Sequence, residues 1–280
     1  MAGINLTGQA NTLDYNIGRG KVYFATIDST TGVPGAFRFL GNAPEFSVSM
    51  ESETLEHQSS QTGLKVTDKE VTISQKATLS LTLDEINFDN MALFFSGETA
   101  AHANTAATAG ITGSSNVTVT DGGRWYDLYQ NAGGAPASNA SANRIYDCGT
   151  ISVSGSVAGT DFIADQVMGR IFIIAGGNLD TPGTIDVDIA ANAGADTTPD
   201  EMRGLTSTTV SGALKFISEN PADSDHQTEY EFHQVSLKAE GDFGLISDEY
   251  TQMSMTGVAE RNTTIDTNSP TVTIRTHSHA

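Results

Sequence analysis

The sequence predicts a mainly-β protein, a sandwich or barrel subunit with long hairpins and one short helix, interrupted by an inserted β-sandwich-like module. Three observations lead there. Long runs alternate apolar and polar residues with period two, the signature of half-buried strands. Charged residues make up only 17%, against about 25% in an average globular chain. The difference is filled by Thr, Ser, Gly, Ala and Asn, which suit pleated strands and their turns. Only one segment keeps a helical period.

Residues 1–20 place Ile4, Leu6, Leu13 and Ile17 too sparsely for an amphipathic face and read as an extended arm. Residues 21–27 carry Val22 and Phe24 as a first strand, residues 28–35 are rich in turn formers, and residues 37–40 supply a hairpin partner. From Glu45 the alternation is clean: Phe46, Val48 and Met50 face one way, and Glu45, Ser47, Ser49, Glu51 and Glu53 the other. After a polar stretch at 58–68 it resumes. Val71, Ile73, Ala77, Leu79, Leu81 and Leu83 share a face on which Gln75 is the one polar member. Glu70, Thr72, Ser74, Lys76, Thr78, Ser80, Thr82 and Asp84 share the other.

A strand over 70–84 spans roughly 50 Å at about 3.3 Å per residue, whereas ordinary strands span about 17–20 Å. Such a strand either bends between two sheets or projects and is covered by other copies of the chain. Residues 87–96 form the helix, with Asn87 as cap, Phe88, Met91, Ala92 and Phe95 on its apolar face and Gly97 as stop. Composition shifts at Glu98 toward small and polar residues. Short strands follow around Val117, Trp125 to Tyr129, Ile145, 150–157, 170–175 and 184–189, spaced as in a small sandwich. Residues 98–209 are therefore expected to form a separate β-rich module between the parts at 21–97 and 210–262. In the second part, 210–217 is a strand, and 229–240 pairs with 250–260 across a loop, adding Glu229, Glu231 and Glu240 to the polar faces. Residues 263–280 read as a second arm with a small strand at 272–275.

Fourteen basic against 34 acidic residues give a net charge of −20, which disfavours adhesion to a phosphate backbone. One cysteine, Cys148, rules out a disulfide framework within the chain. No stretch reaches the roughly 20 apolar residues of a membrane-spanning helix, and residues 1–20 lack a secretory pattern, so a soluble chain made in the cytoplasm is expected. No catalytic, cofactor or metal site is expected either. Gly18-Arg19-Gly20-Lys21 lacks the spacing of a phosphate loop. Asp161, Asp165, Asp186 and Asp188 form no calcium ladder. His277 and His279 lie in the tail, His57, His102, His226 and His233 are scattered, and Cys148 has no histidine beside it in sequence. The run Trp125-Tyr126-Asp127-Leu128-Tyr129 suits a sandwich core better than a carbohydrate platform.

Two blocks of the chain resemble the major tail tube protein of long-tailed, non-contractile bacteriophages. The first is 21–97, with the long hairpin and the helix after it. The second is 214–262, where Phe216-Ile217-Ser218-Glu219-Asn220-Pro221, Tyr230-Glu231-Phe232-His233-Gln234-Val235 and Gly241-Asp242-Phe243-Gly244-Leu245-Ile246 stand in the order that family uses. Gly159-Thr160-Asp161-Phe162 and Met168-Gly169-Arg170-Ile171 resemble a β-rich insertion that some members carry.

The resemblance implies a tail-tube β-sandwich or barrel subunit whose hairpins join those of five other copies into a ring, with rings stacked into a tube. The polar strand faces would then line an acidic channel for DNA, and the arms would join ring to ring. Implied partners are further copies of the chain, tape-measure, terminator and baseplate or distal tail proteins, and DNA in transit, with no membrane. The implied location is the virion tail, assembled in the host cytoplasm. A different class, a secreted or surface β-rich adhesin or carbohydrate-binding module, accounts for the composition but not for the long hairpins.

Overall fold

The structure is a computed structural model that describes residues 17–59, 63, 65–102, 104, 107, 109–111, 115–130, 136–137, 144–196, 200–221 and 226–278. Most of the N-terminal arm, residues 1–16, lies outside them, as does His279. In chain order the first elements are β1 (Gly20–Thr26), β2 (Arg38–Phe39), β3 (Glu45–Ser59), β4 (Val66–Leu83) and α1 (Phe88–Phe94). Next come β5 (Glu98–Ala101), β6 (Ser115–Val119), β7 (Arg124–Asp127), β8 (Tyr129–Gln130), β9 (Pro136–Ala137), β10 (Ile151–Val153), β11 (Phe162–Asp165), β12 (Arg170–Ile173), β13 (Gly183–Ile189) and β14 (Asp200–Arg203). The last are β15 (Val210–Ser218), β16 (His226–Ala239), β17 (Met253–Glu260) and β18 (Val272–Ser278). The fold is mainly β, with several antiparallel sheets. It divides into two units, Met1–Glu98 with Met202–Ala280, and Thr99–Glu201.

The first unit is built on one sheet in the order β2-β1-β15-β16-β17-β4-β3. β16 is its spine. Its second half pairs with β17, Gln234 opposite Glu260 through Ala239 opposite Met255, while its first half pairs with β18, His226 opposite Ser278 through Phe232 opposite Val272. Between the halves the β15–β16 register shifts, from Leu214 opposite Phe232 to Gly212 opposite Val235. An extra residue of this kind bends a strand and re-phases its alternation. The core therefore takes Phe232 from one half and Val235 and Leu237 from the other, with Val22, Phe24, Leu79, Leu81, Leu83, Leu214, Met253 and Met255. Gly212 is needed there, because a Cβ at this position would run into the ring of Phe24.

Segment 263–280, read from sequence as an arm, is not free: β18 completes the sheet of its own chain. Its apolar content is low, but a strand laid on an open edge is held by backbone hydrogen bonds rather than by burial. The N-terminal arm also ends early, since Glu219 N–H donates to Arg19 O and Ile17 N–H to Asn220 Oδ1.

Asn87 caps α1 as expected, its side chain accepting from Asn90 N–H at 2.8 Å. Of the expected face, Ala92 is buried and Met91 and Phe95 pack against the core, while Phe88 departs from it. Leu93 and Phe94 enter the core, Phe88 stays 45% exposed, and Asn90 is buried by donating to the carbonyls of Leu40 and Glu85. The rings of Phe94 and Phe95 both pack on Phe243, at 5.7 and 5.5 Å. Gly97 N–H closes on Ala92 O, a C-terminal cap in which Ser96 takes the left-handed conformation at φ 48°.

The second unit sets β10-β13-β6 and β11-β12-β7 around one apolar cluster that includes Val117, Val119, Ile151, Val153, Phe162, Ile171, Ile173, Val187 and Ile189. β5 pairs with β14, and β8 with β9. The unit ends near 201 rather than at 209, because Leu205 and Ser207 donate their amides to Phe95 O and Ser96 O at the end of α1. Trp125, expected in the core, is 44% exposed; Tyr126 and Leu128 face inward instead.

Candidate functional site

The β3–β4 hairpin is the part of the first unit that its own core does not account for. β17 covers β4 only along residues 77–83. Beyond that, β3 and β4 pair with each other alone out to Ser59 opposite Val66, a ribbon projecting roughly 35 Å at strand rise. It starts four residues earlier on β4 than the alternation suggested, because cross-strand pairing continues through the polar stretch. Along it Leu55, Val66, Val71 and Ile73 are 46–63% exposed, and Met50 at its base is 71% exposed, more apolar surface than a lone hairpin holds stably in water.

Near the sheet, the expected faces hold. Glu45, Ser47, Ser49, Glu51 and Glu53 stand opposite Thr82, Ser80, Thr78, Lys76 and Ser74, and Gln75 stands opposite Ser52 on the reverse face. Residues directly opposite share a face, and the pairing with β17 and β16 extends this one. Thr82 is opposite Ser254, their hydroxyls 3.2 Å apart, and Ser80 is opposite Thr256, which is opposite Lys238. Gln234 donates to Glu260 at 2.8 Å, and Glu240 N–H to Ser254 O. The result is a four-strand, mostly polar surface of Ser and Thr in which Val258, between Thr78 and Ser236, is an apolar member, with Glu45, Glu51, Glu53, Glu240 and Glu260 against Lys76 and Lys238. Sequence reading missed Ser254, Thr256, Glu260 and Lys238; the same alternation in 250–260 would have yielded the β17 residues.

Two parts of the expected lining are corrected. A register shift between Glu53 and Thr54 leaves Ile73 unpaired, and beyond it Thr54 is opposite Thr72, Leu55 opposite Val71 and Glu56 opposite Glu70. β3 keeps its alternation through the bulge, so β4 is re-phased: Glu70 and Thr72 move to the Phe46–Met50 side, and Leu55 and Val71 join the Glu51–Glu53 side. Glu229 and Glu231 lie on the non-core side of the sheet, but their charge is matched. Lys215 Nζ is 2.8 Å from Glu229, Arg275 donates to Glu231 at 2.5 Å, and His277 is 3.2 Å from Glu229. The hydrogen bond from Lys215 leads in holding the Glu229 carboxyl below its ordinary range, with His277 and the charges of Lys215 and Arg275 adding to it against partial burial.

The remaining chemical residues have local work. Asp161 is buried and accepts from Val157 N–H and Asn178 N–H, which lowers its pKa and ties two loops together. Asp165 accepts from Met168 N–H and Arg170. Asp186 and Asp188 lie on β13, and among the described residues no three His, Cys, Asp or Glu converge as a metal site. Burial pushes the Cys148 thiol up to about 11, so it is a packing residue. Of the histidines, His57 meets Asp68, His102 lies between Glu201 and Arg144 O, and His233 meets Thr273. Gly18-Arg19-Gly20-Lys21 leads into β1, and Lys21 pairs with Glu219 at 2.6 Å.

No helix among the described residues is long and apolar enough to cross a membrane. Comparison with curated proteins finds no match. A family model does match, over residues 15–125 and 146–271, which takes in both strands of the projecting hairpin, α1, all of β15–β17 and most of the inserted unit. The chain therefore belongs to the family described as protein of unknown function UCP028589.

Proposed function

We propose that the chain is a structural subunit that closes into rings, six copies to a ring, which stack into the tail tube of a long-tailed, non-contractile bacteriophage. The observation that carries the reading is the projecting β3–β4 hairpin. It exposes apolar side chains on both faces, Met50 on one before the bulge and Leu55 and Val71 on the other beyond it, and ends the sheet in a long open edge at β3, a combination that lone soluble chains avoid. Neighbouring copies of the same hairpin satisfy both needs at once, by continuing the ladder around a closed barrel.

In such a ring the Ser/Thr/Glu surface faces the axis. Short hydroxyl side chains make it smooth, and Glu45, Glu51 and Glu53, repeated in every copy, outweigh Lys76. DNA passing along it is repelled rather than held, within the roughly 8–10 Å over which salt leaves the field unscreened. Tape-measure, terminator and distal tail proteins are the partners this role brings, and the virion tail is its place.

Negative-stain microscopy and light scattering of concentrated protein test the reading. Rings or filaments with an axial hole are expected. A sample that stays monomeric at high concentration, with the hairpin folded, overturns it.

A further inference from the structure

In the inserted unit, one face of the β11-β12-β7 sheet carries a row of partly exposed apolar side chains beside charged pairs. Across β11, β12 and β7, Ile163, Phe172 and Trp125 stand directly opposite one another in a row. Ile163 is 49% and Trp125 44% exposed, and the rings of Trp125 and Phe172 meet at 5.3 Å. The next row on this face is Asp165, Arg170 and Asp127. Arg170 lies over the indole of Trp125 at 4.4 Å while its Nε donates to Asp165 at 2.9 Å. Arg144 pairs with Asp127 and donates to Met168 O, and Arg124 pairs with Asp121. These three arginines are the only ones in the unit, which has no lysine.

From this arrangement we infer that the outer face of β11-β12-β7 is a binding platform for neutral saccharides. The row is apolar and about 10 Å across three strands, its two rings tilted 56° to one another, and Arg170 covers one face of the indole. A sugar ring has the complementary chemistry, with C–H bonds on its face and hydroxyls around its rim. Its face stacks on Trp125 and Phe172, and its hydroxyls both donate to carboxylates and accept from guanidinium groups. The Asp–Arg pairs beside the row offer both kinds of partner, each held in place by the other.

Charge selects among occupants. Every arginine here is already matched by an aspartate in an otherwise acidic unit, so the face has no excess positive charge for nucleic acid or an acidic polymer. Three apolar side chains fall far short of the roughly 800 Å² per partner of a stable protein interface. The inference is independent of ring formation, because it rests on the inserted unit alone.

Trp125 is the single tryptophan of the chain, so intrinsic fluorescence of the full-length protein reports on this face directly. Titration with maltohexaose, cellohexaose and mannohexaose is expected to give a saturable change in emission with at least one of them. Native gels containing dextran or mannan are expected to retard the protein. Trp125→Ala should weaken that retardation by about tenfold or more, and Ile163→Thr, a strand-compatible change at an exposed position, by several-fold without altering the melting temperature. No emission change and no retardation with any of these neutral glycans overturns the inference. So does undiminished retardation of Trp125→Ala, or retardation by heparin alone.

Discussion

Glu56 and Glu70 stand directly opposite each other on the projecting hairpin. Like charges in this position repel and weaken a ladder by about 0.2–1 kcal/mol. The single extra residue at Ile73 creates the pairing, by shifting Glu70 onto the face of Glu56. In Glu70→Lys, backbone amides between the bulge and the tip are expected to exchange about two- to fivefold more slowly, most clearly at low salt. Unchanged exchange would place the two carboxylates on different faces.

The polar surface near the sheet supports a second expectation, which rests on the tube reading. Replacing Glu51 and Glu53 by Lys changes the sign of the surface around Lys76 without touching the core, since all three side chains are exposed. Tubes should still assemble, and DNA ejection from virions carrying the variant should slow or stall, more at low salt than at high. Intact tubes with unaltered ejection would remove the electrostatic part of the proposal. Glu231→Lys, by contrast, should destabilise the subunit itself, because it places a third cation beside Lys215 and Arg275.

Acid should release β18 before the rest of the sheet. Lys215 and the charges around it depress the Glu229 carboxyl below its ordinary 4.5. A depressed carboxyl contributes stability that is fully present above the unfolded value and is lost as pH falls through the folded one. The window therefore lies below about pH 4.5. Exchange protection of 272–278, corrected for intrinsic rates, should fall there while 253–260 stays protected. Glu229→Gln should lower protection of 272–278 at neutral pH and flatten its dependence on acid. Simultaneous loss in β17 and β18 would show that Glu229 does not govern the edge.

Deleting the inserted unit should leave a folded remainder. A Cβ on Gly97 would touch the backbone of Arg203 and Gly204, so the chain leaves and re-enters the first unit at nearly the same place, and a short Gly-Ser bridge spans it. The truncated protein is expected to be soluble and to unfold in one cooperative transition. Insoluble or molten material would mean that the first unit needs the second to fold.

Period two made β1, β3, β4, β16 and β17 legible, along with the Glu45–Glu53 face and its partners, because one buried side per strand leaves a trace in composition. What escaped was set by pairing rather than by pattern. The bulges at Ile73 and between Phe232 and Val235 add a residue without changing its type, so the face of Glu70 could not be read from the alternation. β18 has little apolar content, and only the vacant edge of β16 explains it. Bulky aromatics usually face inward, yet Tyr126 and Leu128 fill that side and leave Trp125 44% exposed. On α1 the helical spacing holds for Met91, Ala92 and Phe95 but not for Phe88, and Leu93 and Phe94 are buried besides.

The pairing of β4 with β17 joins Thr82 to Ser254, residues 172 positions apart, and β1 likewise waits for β15. On a ribosome adding about 5–20 residues each second, β4 is synthesised on the order of ten seconds before β17 can cover it. During that interval the long β3–β4 hairpin is out, unpaired along both edges, while the inserted unit completes its own core behind it. Order of synthesis thus opposes order of assembly, since the segment that neighbouring copies are proposed to seize is available before the subunit it belongs to has closed. The acidic tip pair Glu56 and Glu70, costly to the finished hairpin, is well placed to keep nascent chains on one messenger from zipping together too soon.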